Sequence, residues 1–134
     1  MKTRPTWIAA LAVLAACATF ASAAGATTVT RHQNPHYRVT VSLTPTQVAV
    51  GSRLTVTLTV TNTTSKTRHV SIGYGFEGPS SGEGSSMSPI ALQPHTSWTT
   101  SFRRRAALAG RYSANVTAHD AAGTSHARAT ATAG

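Results

Sequence analysis

The side chains able to do chemistry are few, and their spacing narrows what they can do. Three carboxylates serve the whole chain: Glu77, Glu83 and Asp120. General acid–base work needs carboxylates held in fixed geometry. Two of these fall in the Gly/Ser/Pro stretch Glu77–Pro89, expected to be the least ordered loop, and the third opens a hairpin turn, Asp120–Gly123. Ser80, Ser81, Ser85 and Ser86 read as the composition of that loop rather than as nucleophiles. The motifs H-E-x-x-H and C-x-x-C and the P-loop are all absent. Catalysis is not expected, and no cofactor is implied.

Metal chemistry has somewhat more behind it. On a terminal hairpin, His119 and His126 would lie on one outer face, diagonally, with about 7–8 Å between backbone positions. A metal site needs a third ligand and hydrogen bonds that orient the imidazoles, and the sequence names neither. The pair therefore reads as solvated histidines, with metal handling in the periplasm as the alternative. His32 and His36 lie in an extended arm, where Pro35 disfavours the helix that would align them.

Charge is the third chemistry. The chain carries 12 Lys+Arg against 3 Asp+Glu, a net +9; without Lys2 and Arg4, which belong to a targeting segment, ten basic groups face three acidic ones, a net +7. The densest cluster is Arg103-Arg104-Arg105. On a strand, Arg103 and Arg105 would face solvent while Arg104 would follow Phe102 inward, so the strand is expected to end by Arg104. The plain reading is a solvated strand end in an Arg-preferring genome. The functional one is a surface for anionic wall polymer or lipid headgroups. Nucleic acid is not expected as a partner, because the aromatic residues are spaced for a core and export removes most such partners.

What must position these groups is one domain, since 134 residues match a single core of roughly 100–150 residues. Residues 1–23 read as a secretory signal peptide: a basic start, the apolar stretch Trp7–Cys17, and Ala21-Ser22-Ala23 with cleavage after Ala23. The apolar stretch is short of the roughly 20 residues a spanning helix needs, so no transmembrane helix is expected after signal removal. Leu14-Ala15-Ala16-Cys17 looks like a lipobox, so lipidation of Cys17 stays open as the alternative. Either route leaves no unmodified Cys in the globular part, hence no disulfide framework. Residues 24–36 read as a flexible arm.

From Tyr37 to Thr132 the hydrophobic pattern has period two. Tyr37, Val39, Val41 and Leu43 alternate with polar residues; Leu54, Val56, Leu58 and Val60 alternate with Thr55, Thr57, Thr59 and Thr61. That is a half-buried strand with a solvated threonine face, and β-branched Thr suits extended backbone. Similar runs follow at Val70–Phe76, Ile90–Leu92, Trp98–Phe102, Tyr112–Ala118 and Thr124–Thr132. A tight loop at Asp120–Gly123 sets the last register: His119 opposite Thr124, Ala118 opposite Ser125, Val116 opposite Ala127, Ala114 opposite Ala129, Tyr112 opposite Ala131. The Ala-rich inner face implies close approach of a second sheet, with bulk from Trp98, Phe102 and Tyr74. The expected fold is all-β: an antiparallel β-sandwich of about seven strands over residues 37–132, preceded by a signal-peptide helix.

Val41–Pro45, Val48–Gly51 and Leu54–Asn62, followed by Leu92–Thr96, Gly110-Arg111-Tyr112 and His119–Gly123, resemble bacterial immunoglobulin-like domains of the CARDB/fibronectin-III-like kind. The resemblance implies an extracellular binding or spacer module with no catalytic residues, and makes Tyr112 the structural tyrosine of a tyrosine corner. The expected function is an exported, non-catalytic, immunoglobulin-like module for binding or spacing at the cell envelope, secreted or periplasmic. Its partner would be an anionic envelope polymer or another surface protein. The alternatives are a periplasmic metal handler and a lipid-anchored surface protein displayed from Cys17.

Overall fold

The computed structural model describes residues 29–31 and 34–134; the expected signal segment, with Cys17 and Ala23, and the arm histidine His32 lie outside the described residues. The described chain is all-β, with nine strands and no helix. They are β1 (Val29–Arg31), β2 (Tyr37–Thr44), β3 (Gln47–Val48), β4 (Arg53–Asn62), β5 (Arg68–Glu77), β6 (Gly82–Leu92), β7 (Ser97–Arg105), β8 (Gly110–Asp120) and β9 (Gly123–Ala133). The smaller sheet is antiparallel, in the order β2-β4-β7. The larger runs β1-β9-β8-β5-β6, and short β3 adds to β9 in parallel.

Period-two patterning explains the core strands of both sheets. Leu54, Val56, Leu58 and Val60 are fully buried, while the intervening Thr residues face outward. On that outer face, hydroxyls bridge β4 to β7 at Thr57–Ser101, Thr59–Thr99 and Thr61–Ser97. Inner residues of the two sheets meet in one core: Val39, Val41 and Leu43 of β2 and the β4 aliphatics on one side, Val70, Ile72, Phe76 and Val116 on the other. Ala114, Ala118, Ala127 and Ala129 are fully buried, and this small-residue surface lets β2 pack directly onto β8 and β9. The β8–β9 register agrees with every pair expected from the sequence, from His119↔Thr124 to Tyr112↔Ala131.

Four local expectations are revised. Residues 82–89 of the expected Glu77–Pro89 loop join the expected Ile90–Leu92 strand in one long β6, which pairs with β5 from Glu77↔Gly82 to Arg68↔Leu92. Its side chains are mostly exposed, so backbone hydrogen bonding rather than apolar burial makes it a strand, and no alternation marks it. Its ladder shifts register between Val70 and Ile72, where Pro89, which has no N–H to donate, is accommodated. Part of the expected flexible arm is ordered as well: β1 pairs with β9, and Asn34 is fully buried. β7 continues through Arg105 instead of ending by Arg104. Finally, Tyr74, Trp98 and Phe102 are only half-buried: they line the flank where the two sheets part, with ring centroids 5.9 Å (Tyr74–Trp98) and 6.2 Å (Tyr74–Phe102) apart.

Tyr112 sits as a structural tyrosine. Its hydroxyl donates to the Leu108 carbonyl at 2.8 Å and accepts the Leu108 N–H at 3.1 Å.

Candidate functional site

The turn before β4 creates the charged end of the molecule. Gly51 takes φ +96°, a conformation glycine adopts without penalty. Its N–H donates to the Ala106 carbonyl at 2.7 Å, and the Ala106 N–H returns to Ser52 O at 2.8 Å. These two bonds tie the end of β7 to the start of β4, so Arg105 stands opposite Arg53 and Arg103 opposite Thr55. All three arginines are exposed on the outer face of the smaller sheet. Among the described residues none of them has an ion-pair partner, the two pairs being Arg104–Glu83 and His36–Asp120.

Arg104 does something different. Strand alternation turns it to the opposite side, where it pairs with Glu83 of β6 and lies 4.6 Å over the Phe102 ring. Both partners are about half-exposed, so the pair contributes little to stability. It bridges the open flank between the sheets and divides a cleft there. One part, about 230 Å³, is lined by Tyr74, Phe76, Ser85, Thr100 and Phe102. The other, about 260 Å³, lies against residues 78–82, Leu108 and Tyr112. Sequence reasoning grouped the three consecutive arginines as one candidate anion contact. The structure separates Arg104 from Arg103 and Arg105 and adds Arg53, whose only signal was its place directly after a Gly-Ser turn.

Asp120 organises the opposite end. Its carboxylate accepts from Asn34 Nδ2 at 2.6 Å and from the Ala122 N–H at 2.8 Å, and lies 3.0 Å from His36 Nδ1. Burial works to raise its pKa, but the hydrogen bonds from His36, Ala122, Asn34 and Tyr37 together outweigh burial and hold it down at about 2. Burial, with Asp120 as a second cause, pushes the Tyr37 hydroxyl up to about 12. Buried Asn34 also donates to the Gly123 carbonyl, and its backbone N–H meets Ser125 Oγ. The cluster fastens the chain before β2 to the β8–β9 hairpin.

The two candidate metal ligands stay apart from any such cluster. His119 Nδ1 lies 3.0 Å from Thr124 Oγ1, and His126 stands opposite Thr117. Among the described residues, no three His, Cys, Asp or Glu side chains gather as a metal site. No helix among them is long and apolar enough to cross a membrane.

No protein-family model matches the chain, and no curated protein matches it. Solved structures do align. One is the Pseudomonas fluorescens alkylpurine DNA glycosylase AlkC, bound to DNA containing an abasic site analogue: 13% identity, 69% of this chain, 28% of that one, TM-score 0.49. A β-glucosidase from Listeria innocua in complex with glucose aligns at 16% identity over 73% of this chain and 16% of that one, TM-score 0.48. The C-terminal domain of wzt aligns at 13% identity over 73% of this chain and 70% of that one, TM-score 0.43. The chain thus spans under a third of the first two proteins. At these scores the likenesses carry no argument about function.

Proposed function

We propose that this chain is an exported, non-catalytic immunoglobulin-like β-sandwich module that holds an anionic polymer of the cell envelope against Arg53, Arg103 and Arg105. The observation that carries this reading is the direct Arg53↔Arg105 pairing, with Arg103 beside it and no acid paired with any of the three among the described residues. Like charges directly opposite each other weaken a sheet, and an anion shared between the guanidiniums offsets that repulsion. The guanidinium fork suits phosphate or carboxylate oxygens, which it grips bidentately.

The sandwich reading is supported by two sheets closing on one core and by the Tyr112–Leu108 bonds. The non-catalytic reading is supported by where the acids go: Glu83 to Arg104, Asp120 to the arm, and Glu77 to the exposed end of β5. Export rests on residues 1–23. Release after Ala23 and lipidation at Cys17 both place the domain outside the cytoplasm.

The test is elution from immobilised poly(glycerol phosphate) with rising salt. Attraction between exposed charges is screened over a Debye length of about 8 Å at physiological salt, so bound protein should elute early and sharply. Changing Arg53, Arg103 and Arg105 together to Ser should move elution to lower salt, while Arg104→Ser should leave it nearly in place. Equal retention of the triple variant and the unchanged protein rejects the reading.

A further inference from the structure

The cleft on the β6–β7 flank is built differently from the arginine surface. Its part beside Tyr74 has three aromatic walls, Tyr74 and Phe76 from β5 and Phe102 from β7. Four polar side chains complete the lining, with Glu83 and Ser85 of β6 and Arg104 of β7 exposed at its rim and Thr100 of β7 partly buried beside them. The inward alternation of all four strands places them there, since Glu83 pairs with Phe76, Ser85 with Tyr74, Thr100 with Leu58 and Arg104 with Leu54. The rim therefore offers a carboxylate that only accepts, a guanidinium that only donates, and two hydroxyls that do both. Aromatic walls with a few convergent polar groups are the usual make-up of a small-ligand site.

This chemistry selects its ligand. The guanidinium and the carboxylate cancel in charge, so an anion entering the cleft would meet Glu83 as soon as it met Arg104. A cation would meet the reverse conflict. A purely apolar ligand would leave both rim charges without the hydrogen bonds it displaced. A pyranose ring satisfies all three conditions. Its C–H faces carry slight positive charge and suit the negative faces of aromatic rings, while its hydroxyl rim both donates and accepts. About 230 Å³ gives room for one ring rather than a long chain. The half-exposed Arg104–Glu83 pair opens at little cost, turning Glu83 to accept from sugar hydroxyls and Arg104 to donate to them.

We infer that the flank cleft between β6 and β7 is a binding site for a single uncharged sugar ring of a glycan, with Glu83 and Arg104 as its polar contacts and Tyr74 and Phe102 as its apolar walls. The inference does not rest on the polyanion reading, and salt separates the two: it weakens polyanion binding and leaves sugar binding unchanged.

Trp98 reports on the site, because it packs against Tyr74 and is the one Trp outside residues 1–23. The exported protein is titrated with cellotriose, maltotriose and chitotriose, following Trp98 fluorescence and backbone amide shifts. At least one should bind saturably, with a Kd of about 1 mM or tighter, unchanged by added salt, and with shifts centred on residues 74–76, 83–85 and 100–104. Glu83→Gln keeps the shape and should weaken binding about tenfold, the size of one hydrogen bond to a charged group. Phe102→Leu keeps an apolar filler without the aromatic face and should weaken it too; thermal unfolding of each variant verifies that it is folded. Absence of saturable binding by all three sugars overturns the inference. So does saturable binding that folded Glu83→Gln and Phe102→Leu both leave unchanged.

Discussion

Arg53 and Arg105 face each other across the β4–β7 ladder, two guanidiniums on one exposed surface with no acid paired to either among the described residues. Opposed like charges cost a sheet a fraction of a kcal/mol. Arg53→Glu should reverse that sign by placing a carboxylate opposite Arg105 and near Arg103. The expected outcome is a gain of roughly 0.2–1 kcal/mol, together with weaker retention on poly(glycerol phosphate). Urea unfolding at unchanged m-value measures the first effect. A variant that is both less stable and equally retentive would show that Arg53 takes no part in the patch.

The inward and outward faces of β4 can be tested at neighbouring positions. Val56 is fully buried and Thr57 faces out, bonded to Ser101. Val56→Asp buries a charge with no partner, at a cost of several kcal/mol against a total stability of roughly 5–15 kcal/mol, and should prevent folding. Thr57→Asp loses a surface hydroxyl bond and should cost under about 1 kcal/mol. Thermal unfolding compares them, and similar losses would contradict the assignment of faces.

What the sequence made legible depended on whether apolar side chains alternate. Strand β4 and the β8–β9 pairing alternate cleanly, and a one-residue slip would turn every Ala of β9 outward, so the register could be read. Strand β6 has no such signal. Gly82, Glu83 and Gly84 join the sheet through the backbone alone, so their composition spoke for a loop, and the Glu83–Arg104 pairing stayed hidden with them. The docking of residues 34–36 was hidden for a related reason: polar contacts from Asn34 to Asp120, Gly123 and Ser125 hold it, and hydrogen bonds leave no period in a sequence. Arg104 was read correctly as inward-facing. The inference that the strand must then end was mistaken, because the inward side there is an open flank where a charge stays half-solvated.

Gly110 is the position where two constraints coincide. Its φ is +139°, and a Cβ there would lie 2.6 Å from Pro79 Cγ. It also opens the strand whose Tyr112 hydroxyl holds Leu108. Gly110→Ala therefore meets backbone strain and a clash together, and should cost about 2–4 kcal/mol. Tyr112→Phe keeps the packing, including the stacked Phe76 contact at 5.8 Å, and loses only the hydroxyl bonds, about 1–2 kcal/mol. Urea midpoints should rank the two in that order; a larger loss for Tyr112→Phe would mean the corner, not the turn, governs this end.

Acid should act on the domain through Asp120. Its pKa is held at about 2 in the folded protein, against 3.8 for an ordinary Asp. A carboxyl whose folded pKa is depressed adds stability that is present above its unfolded value and is lost as pH falls through the folded one. The loss should therefore lie between about pH 4 and pH 2, with a size of about 1–2 kcal/mol, because the site keeps some contact with solvent. The wild-type slope alone does not isolate Asp120, because the chain carries other carboxylates. The difference from Asp120→Asn does: that variant should be less stable at neutral pH and should converge on the wild type near pH 2. Asn34→Ala removes one hydrogen bond to the carboxylate, at 2.6 Å, and should shrink the same window without abolishing it. Urea midpoints taken across that range decide the matter, and a constant gap between the wild type and Asp120→Asn down to about pH 2 would show that the carboxylate does not fasten the arm to the hairpin through its charge.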